Sequence, residues 1–290
     1  MFIFYIFYSV FSLCQNRFAP TDTINRSRVF WVSSSISSLS IGSLFALQKV
    51  WYSDYPSSAL HSFDDSKNWM AMDKMGHAYT CYSLSKLNYS LYRWSGLNQK
   101  KSLLIGGGIA WSYQFIIELM DGKSSNWGFS WTDLSFNTLG TLWFTSQELI
   151  FHKQIFQLKF SYYPSTYAQY RPNVLGKTWN ESLLKDYNGQ MYCLSFSPFE
   201  LIKSSKLKFL QLSLGYSVDA KLVGDQNVFI HESGKTFYAK KEFLLGLDIQ
   251  LSKLPIKKKW LKTLLSPFDL IKIPLPGLLW RNNVCYLGVY

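Results

Sequence analysis

Leu210-Gln-Leu-Ser-Leu-Gly-Tyr-Ser-Val-Asp219 alternates apolar with small or polar residues over ten positions. In an extended chain successive side chains point to opposite faces. Leu210, Leu212, Leu214, Tyr216 and Val218 therefore make one face, and Gln211, Ser213, Gly215, Ser217 and Asp219 the other. The same pattern recurs downstream, with Phe243, Leu245, Leu247, Ile249 and Leu251 set against Gly246, Asp248, Gln250 and Ser252. It occurs upstream in Phe156, Leu158, Phe160 and Tyr162, which alternate with Gln157, Lys159 and Ser161. The last residues, Val284-Cys-Tyr-Leu-Gly-Val-Tyr290, read as a strand finishing on an aromatic ring. Long dyads of this kind match outer-membrane barrel strands, although a two-sheet sandwich gives a similar alternation. Strands are expected near 155–163, 190–197, 207–219, 241–252 and 284–290. Single-chain barrels usually need about eight. Either weaker strands lie in 220–240 and 267–283, or the sheet is open and packs on helices. Residues 178–187 and 256–266 read as short helices.

Before residue 154 the period is helical. Helices are expected over 29–52, 69–91, 100–120 and 131–151. The first is rich in serine, whose hydroxyls can bond within the helix, and it suits a position in or against a membrane. Tyr52 to Lys67 reads as a loop, and a second loop spans 121–130. Gly106-Gly107-Gly108 permits close backbone approach, and Ser130 is placed to cap the fourth helix, with Asp133 in its first turn. The expected fold class is α+β: an N-terminal four-helix domain over 16–153 with a polar interior site, then an antiparallel β-meander of outer-membrane type over 154–290, open or an incomplete barrel.

The composition points to the cell envelope. Aromatic residues make up 18% and charged residues 17%, against about a quarter charged in soluble domains. The net charge of +12 accompanies no nucleic-acid-binding motif, so no nucleic-acid partner is expected. Lysines spread through the C-terminal half, with Lys257, Lys258 and Lys259 together, and suit an anionic lipid or lipopolysaccharide surface. Residues 1–15 read as a signal peptide: the apolar run Met1 to Leu13 is too short to span a bilayer, and Ser12 and Cys14 sit before a cleavage near Gln15. Lipidation of Cys14 and a retained apolar helix are the alternatives. The other cysteines, Cys81, Cys193 and Cys285, show no metal-site spacing and no disulfide framework.

The chemistry concentrates on three helices. Asp73 and His77 are four apart, with Lys74 beside them and Cys81 one turn on. Glu118 and Asp121 are three apart, and Asp133 and Asn137 four apart, followed by Gly140. Buried carboxylates persist where they are paired, metal-bound or catalytic. His77, Asp73, Lys74, Glu118 and Asp121 are the candidate catalytic groups, with His77 as base, and Ser130, Asp133 and Asn137 the candidate binding groups. His77, Glu118 and Asp121 are also a candidate divalent-metal set. A purely structural network is the competing reading, in which Asp73 bonds His77, Lys74 pairs with Glu118 and Asp133 serves its own helix. The sequence assigns no cofactor, and it contains no nucleophile elbow, P-loop or HExxH.

At Met72-Asp73-Lys74-Met75-Gly76-His77, Glu118-Leu-Met-Asp121-Gly122 and Gly128-Phe129-Ser130 with Asp133, Asn137 and Gly140, the chain resembles a bacterial family of predicted periplasmic lipoproteins, the YfiM-like proteins. Tyr170-Arg-Pro-Asn-Val-Leu-Gly-Lys and Leu184-Lys-Asp-Tyr-Asn-Gly-Gln look like the extension of the longer members found in Bacteroidetes. A remoter likeness is to VanZ-like membrane proteins, which share the order Asp-Lys-His, Glu, Asp-Asn on successive helices. The resemblance implies an envelope address and groups these residues, and it implies no reaction. The functional expectation is a structural or binding module of the outer membrane or periplasm, with an envelope protein as a further possible partner. The alternative is an envelope enzyme acting on lipid or cell-wall material through His77 with Glu118 or Asp121.

Overall fold

A computed structural model describes residues 23–52, 55–201 and 206–290. The signal-peptide and Cys14 expectations lie outside these residues. Four long helices come first: α1 (Arg26–Leu47), α2 (Met72–Trp94), α3 (Gln99–Asp121) and α4 (Trp131–Phe151). Short helices α5 (Pro172–Leu175), α6 (Trp179–Lys185) and α7 (Lys259–Leu265) lie between strands. The strands are β1 (Phe156–Tyr162), β2 (Gln190–Phe196), β3 (Leu210–Asp219), β4 (Val228–Ile230), β5 (Thr236–Tyr238), β6 (Lys240–Ile249), β7 (Pro276–Arg281) and β8 (Val284–Val289). A mixed fold of helices and an antiparallel sheet is what the sequence led us to expect.

Side-chain caps set the helix starts. Asn25 accepts from Arg28 N, Asn98 from Lys101 N and Ser130 from Asp133 N, so each satisfies an amide that the helix itself cannot bond. Helix α2 starts differently. Trp69, Met70 and Ala71 all have positive φ (51°, 52° and 65°), a conformation that costs a non-glycine residue about 1–2 kcal/mol. The sheet half holds the kink: Gly224 O accepts from Trp69 N at 2.7 Å, and Met70 O accepts from the Tyr216 hydroxyl at 2.5 Å. Glycines let the helices close up. A Cβ on Gly140 of α4 would lie 2.1 Å from Ala78 O of α2, and one on Gly106 of α3 would lie 2.8 Å from Tyr89 N. Helix α1 buries only Val32, against Tyr92 and Leu97. Its serines bond both inside the helix (Ser43 to Ser40 O, 2.8 Å) and outside it (Ser33 to the Tyr92 hydroxyl, 3.0 Å). Helices α1 and α3 are long and apolar enough to cross a membrane.

The main sheet runs β1-β2-β3-β6-β7-β8, antiparallel throughout and not closed. Strands β4 and β5 form a separate hairpin, and together with β7 they are the weaker strands sought in 220–240 and 267–283. The register aligns Leu194, Leu214, Leu245 and Leu278 across four strands on one face, and Ser195, Ser213 and Gly246 on the other. Polarity is inverted relative to a soluble sheet, because the polar face is the buried one. There Asp248 Oδ2 accepts from Lys159 at 2.9 Å and from Ser195 at 2.8 Å, and Ser195 bonds Ser213 at 2.9 Å. The segment after α7 returns to this face, where Ile273 N donates to Asp248 Oδ1 (3.0 Å) and Lys272 Nζ to Tyr290 O. The apolar face meets the helices over β1 and β2, and Tyr216 of β3 reaches the entry to α2. Tyr79 of α2 packs on Phe160 and Tyr192 at ring distances of 5.6 and 5.9 Å, and Leu158 joins a core of Tyr82, Leu103, Phe144 and Leu270. Further along, Leu214, Phe243, Leu245, Leu247, Leu278 and Trp280 are exposed.

Candidate functional site

Helices α2, α3 and α4 bring their polar residues together beneath a cleft of about 670 Å³. Helical spacing puts Asp73 and His77 on one face of α2, and the close α2–α4 contact at Gly140 presses Asp133 and Asn137 against them. Lys74 is 1% exposed and is the hub. Its ammonium lies 2.6 Å from Asp65 Oδ2, 2.7 Å from Asp133 Oδ1 and 3.1 Å from Asp73 Oδ2. His77 Nε2 lies 3.7 Å from Asp73 Oδ1 and 3.8 Å from Asp133 Oδ2, too far for hydrogen bonds to either. On the other side of the ring, Nδ1 is 3.1 Å from Asn137 Oδ1 and 3.3 Å from Glu118 Oε1. Tyr187 donates to Asp73 Oδ1 at 2.8 Å. Ser130 donates to Asp65 Oδ1 at 2.6 Å while capping α4.

The charges are unbalanced. Asp65, Asp73, Glu118 and Asp133 surround one lysine and one histidine, with Asp121 also lining the cleft. Burial pushes Glu118 up to about 8, with Asp133 and Asp121 adding to the rise. Burial and the Asp73 carboxylate push Asp133 up to about 7, and burial does the same to Asp121. Burial would also raise Asp73, but His77, Lys74 and the Tyr187 hydroxyl hold it below the usual carboxylate range. For His77, burial favours the neutral ring, yet Asp73, Asp133 and Glu118 outweigh it and raise the pKa. Lys74 behaves the same way: Asp73 and Asp133 overcome burial and keep it protonated.

Aromatic rings form the cleft walls. Trp127 meets Tyr55, Tyr52 and Trp51 at ring distances of 4.6, 5.6 and 6.2 Å. Trp69 stacks near Tyr187 at 5.2 Å across the cleft mouth. Tyr52 donates to Asp121 Oδ1 at 2.7 Å, which fixes that carboxylate in the wall.

Most of the candidate residues therefore converge. Asp73, Lys74, His77, Glu118, Asp133 and Asn137 form one cluster. Ser130 touches it through Asp65, and Asp121 lies in the same cleft, bonded to Tyr52. Lys74 pairs with Asp65, Asp73 and Asp133, and no ion pair joins it to Glu118 among the described residues. The His/carboxylate group with mutually close ligand atoms is Asp73, His77 and Asp133, within 4.8 Å of one another, in place of the expected His77, Glu118 and Asp121. Sequence reasoning missed Asp65, Gln114, Tyr52 and Tyr187. Asp65 had a signal in the paired Asp64-Asp65 before α2, and Gln114 in its position one turn before Glu118. Tyr52 and Tyr187 had none.

The lysine hub, the histidine and the Glu-Asp and Ser-Asp-Asn groups lie in a segment that is similar to a known family. Residues 62–146 match the family described as predicted periplasmic lipoprotein (DUF2279). The DUF2279 segment contains α2, α3 and nearly all of α4, and with them Asp65, Lys74, His77, Glu118 and Asp133. Tyr52, Tyr187 and Tyr192 lie outside it. The description fits an envelope, periplasmic address. No curated protein and no solved structure matches the chain.

Proposed function

We propose that this protein is a binding module of the cell envelope, seated on lipid by the apolar face of its sheet, with the cleft over His77 as the binding site. The observation that carries the reading is the inverted sheet. Its buried face holds Lys159, Ser195, Ser213, Ser217, Glu242 and Asp248 beside Cys193, Leu244 and Leu279, while Leu214, Phe243, Leu245, Leu247, Leu278 and Trp280 form a contiguous exposed one. An apolar patch of this extent is unfavourable in water and is stabilised by an acyl-chain phase. Charge supports the same orientation. Leu210 pairs with Ile249, so Lys206 before β3 and Lys257 and Lys258 after β6 lie at the same end of the strands. These lysines are exposed, as is Trp260 next to them, which is the composition of a headgroup-facing rim. The occupant of the exposed face is thus an anionic outer-membrane leaflet or an equivalent lipid surface.

Vesicle flotation tests this. The full chain is mixed with vesicles containing phosphatidylglycerol and centrifuged through a density step. Wild type is expected to float, and the Leu245→Asp/Leu247→Asp variant to stay at the bottom with its circular dichroism unchanged. A wild-type chain that does not float refutes lipid seating, and a variant that floats as well refutes this face as the contact.

A second reading, an envelope enzyme using His77 as base, has one specific observation in its favour. Among the described residues His77 Nε2 has no hydrogen-bond partner and borders the cleft, while Nδ1 meets Asn137 and Gln114. That leaves one nitrogen oriented and the other available for proton transfer. It predicts that His77→Gln retains the fold and abolishes an activity.

A further inference from the structure

We propose that Asp73, His77 and Asp133 bind a divalent transition-metal ion at the floor of the cleft. The two oxygens of each aspartate have separate duties. Lys74 takes Asp73 Oδ2 and Asp133 Oδ1, while Asp73 Oδ1, which also accepts from the Tyr187 hydroxyl, and Asp133 Oδ2 lie nearest His77 Nε2. The lysine thus orients both carboxylates without occupying the space between the three ligand atoms. Nε2 is 3.7 and 3.8 Å from those oxygens. Ligands about 2.1 Å from a tetrahedral ion stand roughly 3.4 Å apart, so the two edges at Nε2 need contract by only a few tenths of an ångström, and the edge between the two aspartates lies within 4.8 Å.

Two further observations point to a cation here. Metal-bound histidines present one nitrogen to the ion and give the other N–H to a carbonyl or carboxylate. His77 has that arrangement, with Nδ1 on Asn137 Oδ1 and beside Glu118 Oε1. Glu118 itself is 1% exposed, and its Oε1 accepts no hydrogen bond and faces the imidazole. A cation on the far side of the ring would polarise Nδ1 toward that oxygen. One nitrogen with two carboxylate oxygens suits zinc, manganese or iron(II) better than magnesium or calcium, which prefer all-oxygen shells. Asp73, His77 and Asp133 all line the cleft, so the site is in contact with the ligand space. The inference rests on the cleft reading of the site and is independent of lipid seating.

The test uses the full chain with its three other histidines replaced (His61→Gln, His152→Asn, His231→Gln), so that His77 is the only imidazole left. Dialysis against zinc and then metal-free buffer should leave about one zinc per chain by mass spectrometry. Cobalt(II) should give a visible d–d band that zinc abolishes. Adding Asp73→Asn and Asp133→Asn should weaken binding at least tenfold. Adding His77→Gln should remove the cobalt band. Retention below a tenth of an equivalent with no cobalt band overturns the proposal, whatever the aspartate variants do, and so does unchanged affinity in the aspartate double variant. In either case flotation on vesicles is unaffected, so a metal-free result leaves the lipid-seating proposal standing.

Discussion

Lys74→Met removes the positive charge at the centre of the cluster and keeps most of the side-chain volume. Lys74 is 1% exposed and contacts Asp65, Asp73 and Asp133 within 3.1 Å. Removing one partner of a buried ion pair costs about 3–5 kcal/mol, because the remaining charge is left buried and uncompensated. Here three carboxylates lose their shared cation, so the upper half of that range is expected at pH 7. The sign of the pH dependence follows. Without the lysine the folded-state carboxylate pKa values rise above their unfolded values of about 4. The folded variant then binds more protons than the unfolded chain, and the stability this contributes is present at low pH and lost as pH rises. The deficit should shrink to about 1 kcal/mol at pH 5 as those carboxylates protonate. Urea unfolding with chelator present, at pH 5 and pH 7, reads both numbers. Adding Asp133→Asn should recover part of the loss, since one of the stranded charges disappears. A cost under about 1 kcal/mol at pH 7, or an equal cost at both pH values, refutes Lys74 as the electrostatic hub.

Two more measurements probe the frame around the site. Gly140→Ala places a methyl 2.1 Å from Ala78 O, and the backbone there cannot swing aside, so α2 and α4 must part. The expected cost is at least about 3 kcal/mol, at the top of the overpacking range; Gly108→Ala, with nothing within 4 Å, should be neutral or stabilising by up to about 1 kcal/mol, and equal thermal shifts would refute the close packing. Burial also pushes Lys86 down to about 8 from 10.5. Between those values the unfolded chain holds more protons, so stability should rise with pH from 8 to 10 by up to about 3 kcal/mol; a rise of the same size in Lys86→Met would refute that assignment.

The long elements were legible because their signals are local. Asn98 and Ser130 cap where the helical period begins, and the dyads of 210–219 and 240–249 persist for ten residues each. Strand β7 was only suspected, since Pro274 lies just before it and Pro276 is the first of its six paired residues, and β4 and β5 are three residues each. The clustering of Asp73, His77, Glu118 and Asp133 followed from helical spacing. The pairing inside the cluster did not, because spacing says which residues share a face and nothing about which oxygen meets which nitrogen. Lys74 reaches Asp65 rather than Glu118 because the loop before α2 folds back over α4, where Ser130 bonds Asp65. Tyr187 reaches Asp73 from 114 residues away, a contact with no local pattern. The buried polar face of the sheet was visible as an alternation, but which face turns inward depends on the returning segment at Lys272 and Ile273.

The left-handed run Trp69-Met70-Ala71 has a consequence for the order of synthesis. The turn that aims Asp73 and Lys74 is anchored by Tyr216, 146 residues later in the chain, and by Gly224 beyond it. A nascent chain that has completed its helices therefore lacks the clamp that holds the strained entry to α2, and closing so long a loop is slow. The cluster around Lys74 stays open until β3 has emerged and docked. A chain released early would carry the three helices and all their carboxylates, yet without the clamp Asp73 would not be held at its place in the site. A later-made strand thus decides when the earlier-made helices become competent to bind.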